Sequence, residues 1–165
     1  MTVALQDNTH TTAKTNVALT PVVSVVKKIR FSAAHYYYLP QLSESENKAR
    51  FGLCANTHGH GHNYDLCITV SGPMDPQTGM VVNLKDLKHI LEETVMRQFH
   101  FKNINLDVPY FKDKLPTLEH LVVYFWQELN NALTPLSLQL SALRLYEDDT
   151  LFVDYWGEIM IEGQQ

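Results

Sequence analysis

Residues 54–64 read C-A-N-T-H-G-H-G-H-N-Y, which places histidines at 58, 60 and 62. In an extended chain, side chains two residues apart share a face, so His60 and His62 can meet one ion together. A third ligand must come from elsewhere, and His35 closes an alternating apolar stretch on its apolar side. Three neutral imidazoles with one position open form the donor set of a catalytic zinc site rather than a closed structural one. Imidazole suits Zn2+, and no four-cysteine or mixed cysteine–histidine finger spacing competes. The same spacing also fits exposed polar residues beside a glycine turn, so on spacing alone both readings stay open. His58 precedes the extended segment and is a spare ligand, a substrate contact or neither.

Two more residues have candidate chemistry. Cys54 stands just upstream of His60 and is either a buried small hydrophobe or a thiolate base whose pKa a nearby cation lowers. Glu147 ends the run L-R-L-Y-E. A carboxylate at a strand end is ordinarily solvated. Facing a pocket, it can accept two charge-assisted hydrogen bonds from the amino and ring N–H groups of a pterin or guanine. Cys67, inside a strand pattern, is read as structural.

These residues need elements to position them. Residues 1–20 are rich in Thr, Asn and Ala without sustained period, and are expected to form a mobile tail. Residues 21–165 are read as one domain. Val23, Val25, Ile29, Phe31 and Ala33 alternate toward His35, as in a long strand. A short helix is possible near 43–50. A second strand is expected over about 60–71, with His60, His62, Tyr64, Leu66, Ile68 and Val70 on one face. Gly72-Pro73, Asp75-Pro76 and Gly79 then supply turns. Asn83 can cap a helix striped by Leu84, Leu87, Leu91, Val95 and Gln98 or Phe99. A loop is expected over about 100–116. Thr117 then opens a helix with Leu118, Leu121, Val122, Phe125 and Leu129 inward. Two closing strands, about 139–148 and 151–161, turn at Asp148-Asp149. The order is strand, strand, helix, helix, strand, strand.

Composition narrows the partners. The 165 residues are 45% hydrophobic and 19% charged, enough for a core without disulfides. A net charge of −5 with no basic block argues against nucleic acid as a partner. Two cysteines do not make a disulfide framework, and no apolar run reaches membrane-spanning length. No membrane association and a cytoplasmic location are therefore expected. Lys27, Lys28 and Arg30 are available to a small anion, or are simply solvated.

The chain resembles the 6-pyruvoyltetrahydropterin synthase and 6-carboxytetrahydropterin synthase family. The resemblance lies in F-S-A-A-H at 31–35, C-x5-H-G-H-N-Y at 54–64, G-M-V-V-N-L-x-D-L-K at 79–88, L-D-V-P-Y-F at 106–111, T-x-E at 117–119 and L-Y-E at 145–147. It implies an α+β tunnelling fold (T-fold), a four-stranded antiparallel sheet with two helices on one face. It also implies a homohexamer, a dimer of trimers with active sites between subunits. By position, it makes His35, His60 and His62 zinc ligands, Cys54 the catalytic thiol and Glu147 the pterin anchor, with Glu119 and Thr117 near the pterin pocket. The implied reaction is loss of triphosphate from 7,8-dihydroneopterin triphosphate to give 6-pyruvoyl-tetrahydropterin. Five residues between Cys54 and His60 resemble this branch, whereas the queuosine-pathway 6-carboxytetrahydropterin synthases usually show three.

One stretch departs from the family. Where its members carry an Asp-His pair, which the resemblance makes a proton relay with the thiol, this chain has His100 and Phe101. A phenyl ring cannot transfer a proton. Either His100 takes over the relay, or the enzyme completes only part of the reaction, or the chain binds zinc and pterin with little turnover.

Overall fold

The computed structural model describes residues 20–136 and 138–158. The tail expected over 1–20 lies almost wholly outside that range. Strand β1 (Val22–His35) pairs antiparallel with β2 (His60–Pro73) over the full 14 residues of each. Between them lies helix α1 (Glu44–Phe51), started by a capping box in which Ser43 and Glu46 satisfy each other's backbone N–H groups. Helix α2 covers 84–99, followed by β3 (Lys102–Asn103), the single turn α3 (Ile104–Asp107), helix α4 (Leu118–Leu133), β4 (Gln139–Tyr146) and β5 (Phe152–Tyr155). The sheet order is β3-β1-β2-β4-β5.

The expected four antiparallel strands form the body of this sheet. The fifth, β3, adds two residues parallel to β1 at Ala33 and Ala34. The span 100–116 is therefore not a plain loop. Ile104, Val108 and Phe111 are buried anchors within it, but two paired residues and single turns are too short to leave a periodic signal. β5 ends at Tyr155, short of the expected boundary; residues 156–158 are not strand, and 159–161 lie outside the described range.

Both long helices cover one face of the sheet. Phe31 lies at the centre, stacked on Tyr64 at 5.0 Å and meeting Phe99 and Phe125 edge-on at 6.0 and 5.7 Å. In α2 the buried residues Leu87, Leu91, Val95 and Phe99 recur every fourth position. Four-residue steps drift around an α-helix by roughly 40° each. A π-helical stretch at Glu92–Met96, with Arg97 N–H donating to the Glu92 carbonyl, widens one turn and takes up that drift. Leu84, expected inward, is the first residue of the helix and is 58% exposed.

Among the described residues, no helix covers the opposite face. There Arg30 makes two 2.7 Å hydrogen bonds to Asp65, and Lys28 reaches the same carboxylate at 2.7 Å. Lys28 and Arg30 thus lie across the sheet from the histidines and are already engaged. Arg144 pairs with Asp154 on the neighbouring strands. The hydrogen bond from Arg30, reinforced by Lys28, holds the Asp65 carboxyl at about 2, below its ordinary 3.8. A lowered carboxyl stabilises the fold fully above the unfolded-state value and loses that contribution as pH falls through the folded one. Asp65→Asn should therefore unfold more readily than the parent at neutral pH. The gap should close between about pH 4 and pH 2 in denaturant titrations; a gap that persists at pH 2 would show that Asp65 acts other than by its charge.

Candidate metal centre

The sheet's inward face changes character at one end. The alternation that buries Phe31 and Ala33 in β1 continues to His35, and that of Tyr64 and Leu66 in β2 continues back to His62 and His60. Register places His35 opposite His60 and Ala33 opposite His62. On the other side of β2, Tyr146 pairs with Asp65, so Glu147 extends the inward set of Leu143 and Leu145. Four chemically active side chains thus arrive together from three strand ends. Their ligand atoms all lie within 4.8 Å of one another.

Hydrogen bonding sets the state of His35. Its Nδ1 lies 3.0 Å from the Pro116 carbonyl, which can only accept, so Nδ1 carries the proton. Nε2 is left with its lone pair, facing His60 Nε2 at 3.2 Å. Such a backbone carbonyl behind a ligand histidine is the usual device for fixing its tautomer. Tyr64 Oη stands 3.3 Å from the same Nδ1. His62 Nε2 is buried and has no hydrogen-bond partner, although Glu147 Oε1 is 2.9 Å away. Two nitrogens facing at 3.2 Å beside an orphaned third suit a cation between them. Burial, and then the charge of neighbouring imidazoles, pushes His60 and His62 below the ordinary histidine range, toward the neutral form that ligates metal. Glu147 faces these nitrogens through Oε1, 2.9 Å from His62 Nε2 and 3.4 Å from His35 Nε2. Group for group, the donor set fits a metal ion.

Cys54 sits on the 3-10 turn Gly52–Ala55 behind α1. Its carbonyl accepts from Tyr37 N at 2.7 Å, and its Sγ lies 3.9 Å from His60 Nε2. Burial raises the thiol, and the Glu147 charge raises it further. The protein's own groups therefore favour the thiol, and a cation is needed to favour the thiolate. Cys54 and His60 open onto a cavity of about 940 Å³, also lined by Asn56, His58, Tyr38 and Lys48. His58 does not join the cluster; its backbone and ring both turn to Asn56 Oδ1.

The remaining candidates lie around this centre. Thr117 is the N-cap of α4, its Oγ1 accepting from His120 N at 3.3 Å, while Glu119 is exposed in the first turn. His100 is elsewhere: its Nδ1 accepts from Ser32 N at 3.1 Å and its ring lies on Phe101 at 3.8 Å. No hydrogen bond links it to Cys54 or the cluster among the described residues. Phe101 adopts φ 59, a left-handed conformation unusual for a bulky side chain, and is 81% exposed. Sequence reasoning misses the Pro116 carbonyl and Tyr64 hydroxyl behind His35, since neither carries a local pattern. Glu147's entry into the histidine cluster had one usable signal, its place in the alternation after Leu143 and Leu145.

Comparison with known proteins agrees with the geometry. A family model described as 6-pyruvoyl tetrahydropterin synthase matches residues 24–158. The human 6-pyruvoyl tetrahydrobiopterin synthase is 46% identical over 134 residues, covering 81% of this chain and 91% of that one. The Drosophila melanogaster enzyme of that name is 40% identical, covering 87% and 84%. The structure of Caenorhabditis elegans 6-pyruvoyl tetrahydropterin synthase superposes with a TM-score of 0.78 at 32% identity, over 84% of this chain and 98% of that one.

If the cluster is the metal site, His60→Ala should weaken divalent-metal binding by more than about 100-fold, since loss of an outer-shell partner alone costs 10–100-fold. His58→Ala should leave it unchanged. Competition with a chromogenic chelator measures both. Equal losses for the two variants would move the site away from His35, His60 and His62.

Proposed function

Because the chain belongs to the 6-pyruvoyl tetrahydropterin synthase family, we propose that it converts 7,8-dihydroneopterin triphosphate to 6-pyruvoyl-tetrahydropterin with loss of triphosphate. It is a lyase of that type. The observation that carries the reading is the convergence of His35, His60, His62 and Glu147 beside a cavity that also exposes Cys54.

Zinc is the ion this donor set suits best, three neutral imidazoles being its common catalytic ligation. When bound, it supplies Lewis acidity that makes the substrate's side-chain hydroxyls and adjoining C–H bonds easier to deprotonate. The protein's own groups do the rest. Glu147 accepts the amino and ring N–H donors of the pterin and orients it. The Cys54 thiolate takes a proton from the substrate side chain and returns it, as a general base and then acid. Glu119 and Thr117 border the pterin end, Thr117 mainly by holding the start of α4. Redox change within the side chain and departure of triphosphate need no external reductant or nucleotide.

His100 is the relay partner in this scheme. Within one chain it is tied to Ser32 at the sheet edge, so it serves a thiol across a subunit boundary. That accords with a homohexamer, a dimer of trimers with shared active sites. The sheet face that no helix among the described residues covers supports such assembly, with Trp156 at 69% and Phe152 at 43% exposure. No helix among the described residues is long and apolar enough to cross a membrane. We place the enzyme in the cytoplasm, where Cys54 and Cys67 stay reduced.

The exchange at His100 and Phe101 favours a second reading, in which the chain stops part-way or binds zinc and pterin with little turnover; the 6-carboxytetrahydropterin synthase reaction is a separate alternative on the same substrate. Incubating zinc-loaded protein with 7,8-dihydroneopterin triphosphate and identifying products by mass separates them. Triphosphate and a pyruvoyl product are expected; acetaldehyde with a carboxy product, or intact substrate, would overturn the proposal. His100→Ala should lower turnover by about 100-fold or more, the usual scale for a lost general acid or base, while zinc content stays at the parent level. An unchanged rate removes His100 from the mechanism.

A further inference from the structure

The setting of His100 fixes which of its ring atoms can do chemistry. Helix α2 ends with His100 N–H on the Met96 carbonyl at 2.9 Å, and the left-handed φ of 59 at Phe101 then turns the chain toward β3. That turn brings two groups against one residue of β1. Phe101 N–H donates to the Ser32 carbonyl at 2.7 Å, and Ser32 N–H donates to His100 Nδ1 at 3.1 Å. The imidazole thus fills the ladder position that a strand carbonyl would take, next to the pairing of β3 with Ala33 and Ala34. The Phe101 ring lies against the imidazole at 3.8 Å, tilted by 33°, and covers one of its faces. Left-handed backbone at a bulky residue is costly and persists where the surroundings over-determine it, commonly at functional sites.

A main-chain N–H can only donate, so Nδ1 meets Ser32 with its lone pair. A neutral imidazole has one such lone pair and one N–H. With the lone pair committed to Ser32, the proton sits on Nε2. That atom makes no hydrogen bond among the described residues, and the half-buried ring leaves it open to an acceptor.

We propose that His100 is a hydrogen-bond donor through Nε2–H, held in that tautomer by the Ser32 main chain, and that it steadies a neighbouring subunit's Cys54 thiolate rather than taking up a proton. This rests on the pterin-synthase reading above and narrows the part given there to His100. A base needs a free lone pair on the side it presents, and here that side bears hydrogen. A proton added at Nδ1 would set N–H against N–H at Ser32. The proton balance requires no acceptor at this position. Cys54 sulfur takes a proton from a substrate carbon and returns it to the substrate, so the hydrogen on Nε2 stays on nitrogen throughout. What His100 contributes is a charge-assisted N–H to sulfur hydrogen bond, which favours the thiolate. Phe101 is then a positioning residue, holding the imidazole through its backbone turn and its ring.

The test has a spectroscopic and a kinetic arm, both on the full chain as it assembles. His100-Phe101 is the single His-Phe pair in the sequence. Histidine labelled with 13C and 15N, together with 15N-phenylalanine, therefore singles out the His100 ring in solid-state NMR. A protonated Nε2 and an unprotonated, hydrogen-bonded Nδ1 are expected at neutral pH. A proton on Nδ1 overturns the inference and leaves the proposed function standing, and this arm needs neither turnover nor a variant. In the kinetic arm, the side-chain amide of His100→Gln can donate but cannot take up a proton. Its turnover should stay within about 10-fold of the parent, whereas His100→Ala falls about 100-fold. If the two variants fall equally while their zinc content stays parental, His100 works as a base and the inference is overturned. Parental rates in both overturn it as well. Absence of a pyruvoyl product from the parent overturns the proposed function, and the role given to His100 with it.

Discussion

The pairing of β1 with β2 is the constraint from which everything else at this site follows. Fourteen residues of each strand are held in one register, and the face that packs Phe31 against Tyr64 is the face that carries His35, His60 and His62. Side chains alternate with a period of two, so a slip of one residue would expose the aromatic core and scatter the imidazoles to the other side of the sheet. The hydrophobic core and the metal-capable cluster are therefore specified by the same interaction. Burial of Phe31, Leu66, Ile68 and Phe125 fixes the register, and the register places the ligands.

The charge arrangement follows from that placement. Beyond Tyr64 the inward face has no apolar residue left to bury, and it gathers three imidazoles and a carboxylate at the end of the core. Burial favours neutral histidines around the Glu147 carboxylate. Neutral imidazoles around a single negative charge suit a cation, and a cation is also what the half-buried thiol at Cys54 needs to ionise.

The two faces of the sheet divide the labour. Helices α2 and α4 close the inner face, and Pro116, just before α4, sends its carbonyl to His35, so helix packing reaches the site directly. The outer face keeps its basic residues in pairs with Asp65 and Asp154. His100 and Phe101 sit at the β3 edge, away from the thiol of their own chain. A substitution that looks damaging along the sequence therefore falls outside the cluster formed by the chain's own strand ends.

Local patterns in the amino-acid sequence determined a good deal. The alternation of β1 and β2, the capped stripes of α2 and α4, the shared face of His60 and His62 and the order of the elements are all properties of neighbouring residues, and they are legible for that reason. The family motifs extended that reading to His35, Cys54 and Glu147. The sequence did not determine what depends on residues far apart in the chain. The short parallel β3, the π-helical turn that realigns Leu91 with Val95 and Phe99, and the exposure of Leu84 are set by packing. So are the Pro116 carbonyl behind His35 and the distance of His100 from Cys54. Glu147 is the clearest case. As a residue it reads as an acceptor for substrate, and only the register of β4 on β2 brings its oxygen to the imidazoles. Three strand ends meet there, and no local pattern encodes such a meeting.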